Sequence, residues 1–125
     1  MAVKPTVLVV EDVVLVRLLV VDYLRACGFQ VIEAGNTDEA IRVLRARRPI
    51  DVVFTDVNMP GVEDGFGLMR WTRRNAPEVK VILGSGVADT TERAAALGYR
   101  GPIIAKPYNH LELERRLRDT LRGTS

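Results

Sequence analysis

Short unbroken apolar runs alternate along the chain with longer stretches whose apolar residues recur at helical spacing, five of each. Runs such as Thr6-Val-Leu-Val-Val and Asp51-Val-Val-Phe-Thr lack the polar alternation of a half-wet strand, so they read as strands covered on both faces. The pattern predicts an α/β fold with strands over 6–10, 30–34, 51–55, 79–84 and 102–105. Helices are predicted over 13–27, 37–47, 65–74, 89–97 and 109–122.

The boundaries carry matching start and stop signals. Gly28 and Gly98 fall just past helices, where a left-handed backbone is needed, and Pro49 and Pro77 end two others. Asn36 with Glu39, Asp89 with Glu92, and Asn109 with Glu112 each place an acceptor at an N-cap and a carboxylate three residues later. In the last helix Leu113, Leu117 and Leu121 form a packing face, while Glu112 to Arg116 and Glu114 to Arg118 have the spacing of ion pairs on the wet side.

Strands that alternate with helices require right-handed crossovers, so the strands run parallel and their C-terminal ends share one edge. Residues far apart in sequence therefore meet. The first run leads into Glu11-Asp12, the third into Asp56, the fourth into Ser85 and the fifth into Lys106. Such an edge is where open α/β sheets place their ligands.

Carboxylates gathered there repel by roughly 4 kcal/mol per pair at about 4 Å and an effective dielectric of about 20. A proton or a cation must relieve that repulsion. Oxygen ligands in small number favour a hard ion that keeps several waters, which makes Mg²⁺ the expected cofactor. With a phosphoryl group present, the cation and Lys106 would neutralise its oxygens, Ser85 would hydrogen-bond one, and a carboxylate would attack in line. No Gly-x-x-x-x-Gly-Lys-Ser/Thr motif occurs, so the phosphoryl donor is expected to be small or to be bound elsewhere.

Composition fits a single domain over 1–125 with a real core, at 47% hydrophobic and 27% charged residues. Cys27 is the only cysteine, and no apolar stretch reaches signal-peptide or membrane-spanning length. The expectation is a cytoplasmic chain without membrane contact. The net charge of +2 reflects arginines spread over several predicted helices, and no zinc-ligand or helix-turn-helix pattern accompanies them, so direct nucleic-acid binding is not expected.

Glu11-Asp12, the segment Asp56-Val-Asn-Met-Pro-Gly, Ser85-Gly86 and Lys106-Pro107 resemble, in order and spacing, the motifs of receiver domains of two-component response regulators, including the chemotaxis-regulator type. The resemblance extends from Thr6 to about Arg122. It implies a flavodoxin-like sheet of order 2-1-3-4-5. It also implies that Asp56 accepts a phosphoryl group from a histidine of a sensor kinase or phosphotransfer protein, then switches binding to an unidentified downstream protein. Asp12, Asp56 and the backbone carbonyl of Asn58 would hold Mg²⁺ directly, and Glu11 through a water. Ser85 would bind a phosphoryl oxygen and Lys106 the modified carboxylate.

The chain departs from that pattern at three places. Ile103 stands where many relatives carry a tyrosine or phenylalanine, Gly84-Ser85-Gly86 replaces an aliphatic-Thr-Ala sequence, and one residue appears inserted near Val62-Glu63. Two alternatives keep the chemistry but change the setting: a receiver excised from a hybrid kinase or multidomain regulator, and a Mg²⁺-dependent phosphohydrolase working through an aspartyl-phosphate. The second is disfavoured because Asn58 could not act as the general acid. Met1 and the short Gly123-Thr-Ser tail favour a stand-alone domain. Cys27 is expected to pack near the end of the first helix and His110 to lie on the surface. Trp71 is expected to stand half-exposed beside buried Phe66, Leu68, Met69 and Thr72.

Overall fold

The computed structural model describes residues 4–46, 48–58, 64–86 and 90–123. The elements follow in the order β1 (Thr6–Val10), α1 (Val14–Ala26), β2 (Gln30–Ala34), α2 (Thr37–Arg45), β3 (Val52–Asp56), α3 (Gly65–Asn75), β4 (Lys80–Ser85), α4 (Thr90–Ala96), β5 (Ile103–Ala105) and α5 (His110–Leu121). They form one parallel sheet of order β2-β1-β3-β4-β5, as the receiver resemblance implies.

Side chains alternate across β1, and this period of two divides the core. Val7 and Val9 join Phe54, Val20, Leu24, Leu113 and Leu117 under α1 and α5. Leu8 and Val10 join Val53, Ala40, Leu44 and Leu68 under α2 and α3. A third group, with Phe66, Met69, Leu83, Ala94 and Tyr99, closes the sheet beneath α3 and α4. Because both faces are covered, β1 and β3 are buried at every position, which is why their sequences lack polar alternation.

The expected caps hold where they can be described. Asn36 accepts the Glu39 amide and Asn109 that of Glu112, while Gly28 and Gly98 take φ of 99° and 82°. Glu39 reaches back to the amide of Gly35 instead of Asn36. The Asp89 cap and the Val62-Glu63 insertion fall outside the described residues.

On α5 the Leu113 and Leu117 face packs as expected, with Leu121 half-buried. Of the two predicted pairs there, Glu114 and Arg118 meet at 3.0 Å, whereas Glu112 and Arg116 form no ion pair among the described residues. Arg118 also lies 4.8 Å over the Phe29 ring and donates to the Cys27 carbonyl, so it is tied to the neighbouring helix end and is not simply solvated.

Two boundaries matter for chemistry. Asp56 and Ser85, expected just past their strands, are the last residues within them, paired with Gly84 and Ala105. The Asp51 carboxylate accepts the Thr6 amide at 2.8 Å, and β3 begins one residue later than expected. Both side chains at the sheet edge are thus fixed by ladder bonds on the strand that carries them.

Candidate functional site

Four of the five strands supply the site at the C-terminal edge. Glu11 and Asp12 follow β1, Asp56 closes β3, Ser85 closes β4 and Lys106 follows β5. The Arg17 guanidinium braces the loop after β1, donating to the Glu11 carbonyl at 2.8 Å and pairing with Glu33 at 3.2 Å. The Glu11 carboxylate accepts the Val13 amide at 3.1 Å, supplying an acceptor at the start of α1, where the apolar N-cap side chain of Val13 provides none.

Asp56 is 1% exposed. Its Oδ2 accepts from the Lys106 ammonium at 2.6 Å, and its Oδ1 accepts the Asn58 amide at 3.0 Å. The same ammonium stands 3.3 Å from Glu11 Oε1, a buried oxygen that makes no hydrogen bond. One carboxylate oxygen from each of Glu11, Asp12 and Asp56 lies within 4.8 Å of the other two.

A single lysine cannot balance so much negative charge in so small a volume. Burial raises the Glu11 carboxyl above its ordinary range, and Asp12 and Asp56 add to the rise against the Val13 amide and Lys106. Burial alone would lower the Lys106 pKa, but its bond to Asp56 and the field of Glu11 raise it further. A buried Glu11 oxygen held only by the Lys106 charge, beside two more carboxylates, is a donor set that fits a hard divalent cation.

Ser85 stands one strand over from Asp56 and is buried. Its hydroxyl hydrogen-bonds that of Thr90, the first residue of α4, so a polar contact runs from the site into that helix. Ile103 is half-buried against the third core group. Cys27 packs against the first core group, and Trp71 stands half-buried beside buried Phe66, Leu68, Met69 and Thr72, as expected. His110, expected on the surface, is half-buried, with its ring tilted against that of Tyr23 at 5.1 Å.

Sequence reasoning missed Tyr108. Its ring packs edge-on to Phe54 at 5.1 Å, and the Lys106 ammonium lies 5.7 Å from its centroid. Burial and the nearby carboxylates push its phenol well above the usual range. The available signal was Gly84, whose missing side chain leaves room on β4 for an aromatic ring.

A parallel sheet of this order with an acidic cluster and a lysine at its C-terminal edge is the arrangement that the receiver resemblance implies. The profile described as response regulator receiver domain matches residues 7–118, and the chain belongs to that family. A probable transcriptional regulator ycf27 of Cyanophora paradoxa is 30% identical over 122 residues, covering 97% of this chain and 50% of the relative. The transcriptional regulatory protein AruR of Pseudomonas aeruginosa is 35% identical over 127 residues, covering 98% and 51%. This chain therefore spans about half the length of these relatives. A probable chemotaxis protein CheY of Rhizobium etli is 34% identical over 110 residues, covering 84% and 83%.

Among solved structures, the signal receiver domain of an HD domain-containing protein from Pseudomonas fluorescens Pf-5 superposes with a TM-score of 0.87 at 23% identity, covering 98% of both chains. A response regulator receiver protein from Sinorhizobium medicae gives 0.87 at 25%, again covering 98% of both. These likenesses establish the fold. Members of the family generally act as switches, interact with histidine kinases or phosphotransfer proteins, and bind Mg²⁺ at an acidic pocket. Glu11, Asp12 and Asp56 form that acidic cluster here. Among the described residues no helix is long and apolar enough to cross a membrane.

Proposed function

We propose that this receiver domain is a Mg²⁺-dependent phosphorylation switch in which Asp56 is the phosphoacceptor. The observation that carries the reading is the buried Asp56 carboxylate at the end of a central strand, 2.6 Å from Lys106 and clustered with Glu11 and Asp12. An Asp56 oxygen supplies the electron pair for the new O–P bond as the N–P bond of a donor phosphohistidine breaks, and the imidazole leaves with that bonding pair. Mg²⁺, when bound, neutralises charge on the transferring phosphoryl oxygens.

Asp12, Asp56 and the Asn58 carbonyl would hold the cation directly, with Glu11 acting through a water. Lys106 shifts from the free carboxylate to the acyl phosphate, and Ser85 turns from Thr90 to a phosphoryl oxygen. That exchange would alter the start of α4 and so bias a surface between two states. Residues 1–125 would act as one cytoplasmic receiver module with a protein as its output partner.

A donor protein must bring its histidine to the rim, and the neighbouring surface suits that task. Val14, Leu15, Leu18 and Leu19 of α1 are exposed, with Leu15 at 67%. They adjoin a hollow of about 550 Å³ lined by Val16, Leu19, Lys106, Pro107, Tyr108 and His110. An apolar helix face there would be covered by the donor for the duration of transfer.

The test is incubation with acetyl phosphate and Mg²⁺ followed by intact-mass measurement. One added phosphoryl group is expected, absent with chelator and absent in Asp56→Asn. Modification that persists in Asp56→Asn would overturn the assignment.

A further inference from the structure

At the opposite end of the sheet from the phosphorylation rim, a hollow of about 600 Å³ opens between the C-terminal ends of α2 and α3. Its apolar lining comes from the core: Leu44, Ile50 and Val79 are each about nine-tenths buried, with the half-buried Trp71 beside them. Arg45 and Arg48 also line it, and the Arg45 guanidinium lies 5.8 Å over the Trp71 ring.

Neither arginine forms an ion pair with any described residue. A second hollow of about 190 Å³, which Trp71 also lines, is bordered by Arg70 and Arg74, which are likewise without ion pairs among the described residues. Arginines that look scattered in sequence are thus gathered around the chain's one tryptophan.

We propose that the larger hollow is a binding site for a small organic anion with a flat apolar body. The body would lie on Leu44, Ile50 and Val79 against the indole, and the carboxylate would meet the two guanidinium groups. The volume falls in the range of small-molecule sites, about 300–1,000 Å³, and the lining combines apolar edges of the core with the polar groups of Arg45, Arg48, Asn75 and Glu78. Arginine suits the head group because its planar fork matches a carboxylate with two parallel hydrogen bonds.

Charge at this end restricts the ligand. The C-termini of α2 and α3 carry partial negative charge, and Glu78 lines the same hollow. Arg45 in the last turn of α2 offsets part of that field, so binding a carboxylate requires Arg48 as well. Apolar contact alone would accept neutral molecules equally well, and the arginines are what make charge matter.

The probe is naphthalene-2-carboxylate, titrated into the isotope-labelled protein and followed by proton–nitrogen correlation NMR. One tryptophan gives one indole N–H signal at the site. Saturable shifts are expected for that signal and for the amides of residues 44–46, 48, 50, 75, 76, 78 and 79, with the rim unmoved. Affinity should fall about tenfold or more for the neutral 2-naphthalenemethanol, and likewise for Arg48→Gln and for Arg45→Gln/Arg48→Gln. Arg48→Gln lies outside the helices and tests the idea even if the double variant folds poorly. No saturable shift, equal binding of the neutral alcohol, or arginine variants that change the melting temperature without changing affinity would overturn the proposal. The last outcome would mean that the arginines serve only the helix ends.

Discussion

Gly84 and Tyr108 occupy one shared space beside the phosphorylation rim. A methyl group on Gly84 would stand 2.8 Å from two ring carbons of Tyr108, closer than carbon atoms approach. The ring cannot easily retreat, because it is wedged edge-on against Phe54 with the Lys106 ammonium over it. The missing side chain on β4 is therefore a packing requirement.

Substituting Gly84→Ala should destabilise the protein by about 1–3 kcal/mol through overpacking, read as a lower urea midpoint at unchanged slope. Tyr108→Phe should do the opposite or nothing. The phenol oxygen is buried without a hydrogen-bond partner, so removing it should leave stability equal or up to about 1 kcal/mol higher. A large loss in Tyr108→Phe would mean that the hydroxyl is satisfied in solution.

The carboxylate cluster should reveal itself as strain in the absence of divalent cation. Asp56→Asn removes one of three mutually repelling groups and should raise stability by about 1 kcal/mol in chelator. Lys106→Met removes the cation that, among the described residues, faces both Asp56 and Glu11 and should lower it by about 1–3 kcal/mol, less than for a fully buried pair because Lys106 is partly exposed. Added Mg²⁺ should narrow the difference between wild type and Asp56→Asn. If Asp56→Asn unfolds earlier than wild type in chelator, repulsion does not dominate the site.

Most of this architecture was readable because its signals are local. Strands buried on both faces show as unbroken apolar runs, caps show as residue pairs three apart, and the handedness of crossovers brings Glu11, Asp56, Ser85 and Lys106 to one edge without any knowledge of contacts. What stayed hidden depends on side chains meeting across elements. Gly84 marks a space on β4 without saying that Tyr108 fills it, and nothing in the sequence ties Thr90 to Ser85 or Arg17 to the Glu11 carbonyl, since each pairing depends on loop geometry. The arginines around Trp71 were read as dispersed for the same reason: α2 and α3 are distant in sequence and adjacent in space.

Gly65 illustrates a constraint that only the assembled structure exposes. It is the first residue of α3, and a methyl group there would stand 2.6 Å from the Val57 Cα, against the backbone directly after Asp56. Backbone cannot swing aside as a side-chain tip can. Gly65→Ala should cost stability at the upper end of about 1–3 kcal/mol or beyond it. It should also slow acetyl-phosphate labelling of Asp56 by about tenfold, because carboxylate placement tolerates little displacement. Unchanged labelling in a folded Gly65→Ala protein would show that α3 can shift away without moving the site.

Cation binding should be linked to the protonation of Glu11. Burial, reinforced by Asp12 and Asp56, holds that carboxyl above its ordinary 4.5, so the cation-free site retains a proton at pH values where an ordinary glutamate has lost it. Because the folded-state pKa is raised, Glu11 favours the cation-free fold fully below pH 4.5, and that contribution disappears as pH rises through the elevated value. Mg²⁺ requires the ionised form, so its affinity should increase with pH across the same window and its binding should release a proton. Titration calorimetry in two buffers of different ionisation enthalpy measures that proton directly. Glu11→Gln should abolish the proton release and flatten the pH dependence, whereas an affinity that is flat with pH in the wild type would show that Glu11 is already ionised in the cation-free protein.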